Sequence, residues 1–218
     1  RMAFEFGNLL DDKIIVMSTP IMTNAGRYDK RPLSACTVPP ISNSDSKQKL
    51  ETLIRRFHED GMGTGFDFNQ EADPVSFLKY LNALAVQGAA SGKEDRPVGN
   101  MGVLSVYHPR ILDFIKVKAN SDAHAEDWKF NISIDVDNPF MEAVRKGGDY
   151  ELWDGSKLSA RSVLREIATA AHACGDPGLV FMDRFNRDNA TPGTGQYVST
   201  APCGEMGLAP GEACQFGY

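Results

Sequence analysis

The run NMGVLSVYHPRILDFIKVK (residues 100–118) reads as a strand followed at once by a helix. Met101 to Val106 is a short apolar run of strand length. His108-Pro109 then breaks it, and Ile111, Leu112, Phe114 and Ile115 recur at helical spacing over residues 109–118. The next run, KFNISIDVDNPFMEAV (residues 129–144), repeats the order. Phe130, Ile132, Ile134 and Val136 alternate with other residues, the pattern of a half-buried strand. Asp137-Asn138-Pro139 opens a helix in good capping order, and Gly147-Gly148 ends it.

The same alternation extends both ways along the chain. Residues 45–60 predict a helix with Leu50, Leu53, Ile54 and Phe57 on one face, and residues 75–86 another with Phe77, Leu78, Leu81, Leu84 and Ala85. Residues 159–174 form a third, capped by Ser159 or Ser162, with Val163, Ile167, Ala170 and Ala171 apolar. Short strands are expected at 14–17, 33–38, 66–68 and 179–182. TPIMTNAG (residues 19–26) and the Gly-rich stretch 88–102 read as loops, and Asp176-Pro177-Gly178 as a turn. Strands alternating with helices predict an α/β fold with a largely parallel sheet.

Composition narrows the function. The 218 residues are 42% hydrophobic and 24% charged, as in a globular protein of one large or two small domains. A net charge of −6 gives no general attraction for duplex nucleic acid, though a local nucleotide site needs only a few groups. No apolar run is long enough to cross a bilayer, and the first residues do not read as a signal peptide. The four cysteines, Cys36, Cys174, Cys203 and Cys214, are far apart without a CxxC pair. That argues against a zinc site or a disulfide scaffold, and for reduced thiols in the cytoplasm.

Several blocks, in order, resemble the catalytic subunit of class II (adenosylcobalamin-dependent) ribonucleotide reductases. They are STPIMTNAG (residues 18–26), LSAC (33–36), GMGTGFDF (61–68), the two runs quoted first, GDPGLVFMDRFNRDNATP (175–192), APCGE (201–205) and CQFG (214–217). The resemblance implies a ten-stranded α/β barrel made of two five-stranded halves. Residues 1–218 would form one partial barrel domain, roughly the first half plus a finger loop at about 199–207. It implies reduction of ribonucleoside di- or triphosphates to 2′-deoxyribonucleotides by a thiyl radical that adenosylcobalamin generates. A thioredoxin- or glutaredoxin-type reductant, and further sequence or a second chain completing the barrel, would be partners.

In that frame Cys203 matches the radical cysteine and Glu205 the carboxylate that takes the 3′-hydroxyl proton. Cys36 and Cys214 match the reducing pair. Thr19 and Ser34 lie where the family contacts substrate, and Ala201 stands at a substrate-contacting position that is usually asparagine. Arg96 and Asn100 fall in the allosteric specificity loop. Other residues read as structural: Cys174 late in a helix, His58 on a solvated helix face, and His108 at a strand–helix junction. His124 has no ligand spacing, and no residue is assigned to a metal. Gly61-x-Gly63-x-Gly65 is followed by no long helix of the kind a dinucleotide site requires.

The departures from the family are Ala201, the short run 69–73, Pro97-Val98 in the specificity loop, and an end at Tyr218 with half the barrel and the C-terminal cysteine pair beyond it. The usual helical N-terminal region also has no room before the barrel-like sequence. The alternatives they keep open are a diverged radical enzyme on another nucleoside or sugar, and a non-catalytic binding or structural subunit.

Overall fold

The computed structural model describes residues 1–29, 31–41, 46–94, 96–119 and 127–216. Asp45 at the expected helix start, His124 and Gly217 of the CQFG block lie outside the described residues.

In chain order the elements are α1 (Met2–Asp11), α2 (Thr19–Asn24), β1 (Cys36–Thr37), α3 (Lys47–Glu59), β2 (Gly63–Asp67) and α4 (Pro74–Ala90). Then come β3 (Asn100–Ser105), α5 (Ile111–Lys116), β4 (Phe130–Asp135), α6 (Asn138–Lys146), β5 (Asp149–Glu151), β6 (Lys157–Ser159) and α7 (Ala160–Cys174). The chain continues through β7 (Gly178–Val180), α8 (Met182–Arg187), β8 (Ser199–Thr200), β9 (Gly207–Leu208) and β10 (Ala213–Cys214). The caps are the expected kind. Ser46, Asp73, Asp137 and Ser159 accept from first-turn amides, and Gly147 and Gly175 end α6 and α7 in the left-handed conformation.

One sheet carries the architecture, in the order β10-β1-β2-β3-β4-β7. Neighbours from β1 to β7 run parallel, and β10 joins β1 antiparallel. The five parallel strands match one half of the expected barrel. Period-two alternation sorts the side chains onto two faces. Phe66, Leu104, Phe130, Ile132 and Ile134 pack with Leu78, Phe114, Phe140 and Ile167 of the helices in the main core. The other face carries Met101 and Val103, and the hairpin β8–β9 lies over it. The start of β4 and the turn before β7 are tied together, because Lys118 pairs with Asp176 and donates to Phe130 O, while Ile132 N donates to Asp176.

Gly63 and Gly65 point to the hairpin face. A Cβ on Gly65 would lie 2.1 Å from Thr200 O and 3.1 Å from Ser199 Oγ. A Cβ on Gly63 would meet Gly99 O and the Pro202 ring, each at 2.8 Å. The glycine pattern thus lets one backbone settle on another.

Several expectations are corrected. Residues 19–24 are a helix, since Pro20 near its start presets φ and needs no N–H partner there. Residues 14–17 form no strand beyond an isolated bridge at Met17, because Ile14 and Val16 are exposed and no layer covers them. α4 runs on to Ala90, which shortens the expected loop, and Met182 begins α8 rather than ending a strand. His58 is buried, not solvated. Its Nε2 lies 2.9 Å from Asn100 Oδ1, and Thr64 Oγ1 donates to the same oxygen at 2.6 Å. Asn100 Nδ2 donates to Lys129 O at 2.8 Å, which fixes the amide orientation and puts the imidazole proton on Nε2. Burial pushes the His58 pKa down.

Two predictions follow from the hairpin face. Gly65→Ala, which forces Cβ into a backbone carbonyl, will lower stability by about 2–4 kcal/mol in denaturant melts. Gly7→Ala, where the added Cβ meets nothing within 4 Å, will be neutral or slightly stabilising. Asp67 and Asp135 stand on this face, and burial pushes both carboxyls up to about 6. A raised carboxyl favours the protonated fold, so its contribution is full below the unfolded pKa and is lost as pH rises through about 6. Asp67→Asn, whose amide oxygen can still accept from Asn69 N, will therefore match wild type at pH ~4 and exceed it by on the order of 1–2 kcal/mol at pH ~7.5. Equal differences at both pH values would refute this.

Candidate active site

β1 and β10 are two residues long, and their register sets Cys36 directly across from Cys214. Partners opposite one another in an antiparallel pair project to the same face. Both thiols are free and buried, in a small cluster with Ala35, Val38, Ala201 and Leu208. They share a hydrogen bond, so their ionisation is linked. The Cys36 S–H stabilises a thiolate on Cys214 and lowers the Cys214 pKa. Cys36 is driven up, first by that hydrogen bond and then by burial. The two protons therefore come off in two steps that belong to the pair. The Arg96 guanidinium eases the charge on Cys36, and its Nη2 donates to Ala35 O at 2.8 Å.

The β8–β9 hairpin carries the finger loop over this pair. Ser199 Oγ donates to Phe66 O at 3.1 Å, which anchors the stem to β2. Ala201 N donates to Met206 O and Gly204 N to Ala201 O, closing a tight tip with Gly204 at φ +78°. Cys203 and Glu205 are exposed at that tip. Burial of the sulfur, then its hydrogen bond to Glu205, pushes the Cys203 pKa up. Cys203 therefore stays a protonated thiol at neutral pH, the form that can give up a hydrogen atom. The tip and the pair feel each other: Cys203 acts on the charge of Cys36, and Glu205 on that of Cys214. The structure thus gathers Cys36, Cys203, Glu205 and Cys214 from positions spread over the chain.

The remaining expected residues divide. Thr19, the first residue of α2, is exposed on a cleft it shares with Thr23, Asn24, Arg27, Arg31 and Arg96. Ser34 is half-buried two residues before Cys36 and does not line that cleft. Asn100 is a buried β3 residue whose amide bonds to His58, Thr64 and Lys129. Ala201 is fully buried against the thiol pair. Cys174 is half-buried, donates weakly to Ala170 O and Asp176 O, and lines the cleft that Cys203 faces. Sequence reading missed two contacts: the reach of Arg96 to Ala35 O, and Asn131, which projects from β4 into the Cys203 cleft. Strand alternation places Asn131 on the hairpin face but does not say what it meets. Among the described residues, no group of three or more His, Cys, Asp or Glu side chains is placed to hold a metal ion. No helix there is long and apolar enough to cross a membrane.

A family model described as "Ribonucleotide reductase, barrel domain" matches residues 65–217. The chain is 35% identical over 240 residues to the vitamin B12-dependent ribonucleoside-diphosphate reductase of Mycobacterium tuberculosis, covering 100% of this chain and 34% of that protein. It is 31% identical over 234 residues to the protein of the same name from Thermoplasma acidophilum, covering 97% of this chain and 30% of that one. The vitamin B12-dependent ribonucleotide reductase of Streptomyces coelicolor is 27% identical over 246 residues, covering 92% of this chain and 25% of that one. The chain thus spans about a third or less of the length of these relatives. With the matched region running from β2 through the finger loop to the Cys36–Cys214 pair's second cysteine, the chain belongs to the ribonucleotide reductase family and forms part of its barrel domain.

Proposed function

We propose that this chain is the radical-cysteine half of a barrel that reduces ribonucleotides to 2′-deoxyribonucleotides. The observation that carries the reading is an exposed Cys203, with Glu205 two residues on, at the tip of the hairpin that packs on two buried thiols set directly across from one another. A thiyl radical on Cys203 removes the hydrogen atom at C3′ of the ribose. The Glu205 carboxylate accepts the 3′-hydroxyl proton as the carbon radical forms. The 2′ hydroxyl leaves as water with a proton from the dithiol. The pair's two electrons and its second proton go to C2′, so that Cys36 and Cys214 end as a disulfide; Glu205 gives its proton back to the 3′ oxygen, and Cys203 returns its hydrogen atom to C3′. An external thioredoxin- or glutaredoxin-type dithiol then reduces the disulfide.

Adenosylcobalamin, when bound, supplies the initiating radical by homolysis of its cobalt–carbon bond. The residues present suit such a group in one respect: the cleft beside Glu205 is walled by Leu179, Phe181, Phe185 and Tyr197, an apolar surface against which a large ring system would lie. The nucleotide phosphates have the Thr19 cleft, with Arg27, Arg31 and Arg96, as a cationic surface. Further sequence or a second chain completes the barrel around them.

Ala201 favours a second reading, a radical enzyme acting on a different nucleoside or sugar, because it offers a substrate no amide. The experiment that separates them incubates the chain, alone and with the remaining barrel sequence of a relative, with adenosylcobalamin, dithiothreitol and each ribonucleotide. Deoxyribonucleotide is expected, falling at least about 10³-fold in Cys203→Ser and about 10²–10⁴-fold in Glu205→Gln. Radical formation on Cys203 without any deoxyribonucleotide would favour the second reading. An unchanged Cys203→Ser would sink both.

A further inference from the structure

Pro202 stands between the buried stem of the finger and the exposed Cys203, and it is gripped from two sides. Its ring sits over Gly63 and Gly99, where an added Cβ would come within 2.8 Å and 3.3 Å of it. Its carbonyl accepts a hydrogen bond at 2.9 Å from Asn131 Nδ2, seventy-one residues earlier in the chain. The first grip is steric and limits how close the tip comes to the sheet. The second is directional and limits how the Pro202–Cys203 peptide can rotate, because a hydrogen bond weakens steeply away from linear geometry.

Asn131 has the right support for such a task. It lies in β4, paired with Met101 of β3 on one side, and on the other side the amide of the next residue, Ile132, donates to Asp176, so its backbone is held from both directions. Its side chain stands on the hairpin face and lines the same cleft as Cys203. The hairpin supplies no side-chain substitute, since Ala201 offers only a methyl group and is buried. The bonds that shape the tip from within, Ala201 N to Met206 O and Gly204 N to Ala201 O, close the turn without fixing it to the sheet.

We infer that Asn131 is the positioning residue of the finger tip: its amide orients the Pro202 carbonyl and so sets where the Cys203 sulfur points and how closely it stays to Glu205. Asn131 does not touch the reacting atoms in this role. The inference rests on the reading of Cys203 as the reactive thiol, but its test needs no nucleotide turnover, so either can fail alone.

The test measures the alkylation rate of each cysteine by iodoacetamide from about pH 6 to 10, resolved by peptide mass spectrometry, on the full chain. In wild type Cys203 should titrate late, held protonated by burial and by Glu205. In Asn131→Ala and in Asn131→Leu, which keeps the volume without the donor, the tip swings free. Cys203 is then expected to react about five-fold faster at pH ~8, with its midpoint moved down toward an ordinary thiol. Cys36 and Cys214 serve as internal references and should keep their wild-type rates, with the melting temperature nearly unchanged. Asn131→Gln retains a donor and should restore the Cys203 profile to within about two-fold of wild type. A Cys203 profile that is the same in wild type, Ala and Leu variants overturns the inference. So does a shift in which all the thiols move together with the melting temperature, or one that Gln fails to reverse. If the Ala variant does not fold, the comparison of Leu with Gln decides.

Discussion

The finger hairpin can rest on the sheet only because one face of β2 is bare. The strand reads Gly63-Thr64-Gly65-Phe66-Asp67, and its two faces are opposite in load. Phe66 is buried in the helix-side core, in ring contact with Phe68 and Phe130, while the glycines leave the other face empty up to Asp67. Glycine weakens a strand interior, so this arrangement needs compensation. β2 receives it from parallel neighbours on both sides and from the aromatic packing beneath. The height of the hairpin above the sheet then follows from backbone contact, and with it the height of Cys203 above Cys36 and Cys214. A site set by backbone-to-backbone contact has little freedom to drift.

That fixed geometry keeps three cysteines in different states although they lie in one site. Cys203 lies at an exposed tip yet is held protonated, first by partial burial of its sulfur and then by the Glu205 carboxylate, which favours the S–H. Cys214 is almost fully buried yet ionises more readily, because its partner is a thiol that donates to it. Burial alone would rank the two the other way round. At Cys214 the hydrogen-bond partner decides, since a hydrogen bond to the charged form outweighs the desolvation there. Arg96 adds a cation on the Cys36 side, and the loop that carries it packs against the strand that carries Cys36.

Much of this was legible in the sequence, and the reasons are local. The alternation at Phe130–Val136 and the caps at Asp137 and Ser159 report on neighbours a few residues away, so strands and helices there were read correctly. Cys36, Cys203, Glu205 and Cys214 were singled out through the resemblance alone, since no spacing rule links positions so far apart. What failed were features decided by distant contacts. His58 sits among charged residues and reads as solvated, yet Asn100 and Thr64 draw it inward. Asn100 reads as part of a loop, but the ladder to β4 begins with it. Gly63 and Gly65 were noted as a pattern, yet their purpose appears only once the hairpin is seen above them.

Ala201 shows how the parts constrain one another. A methyl group there fills the space between Leu208 and the two buried thiols with no polar atom to satisfy. An amide in the same place would have to be desolvated and hydrogen-bonded inside an apolar cluster, or else push the hairpin off the glycines of β2. The close seating of the finger and an apolar residue at 201 therefore go together. Here residue 201 serves packing alone, and the polar ties between hairpin and sheet run through Ser199 to Phe66 O in β2 and through Asn131 of β4 to Pro202 O.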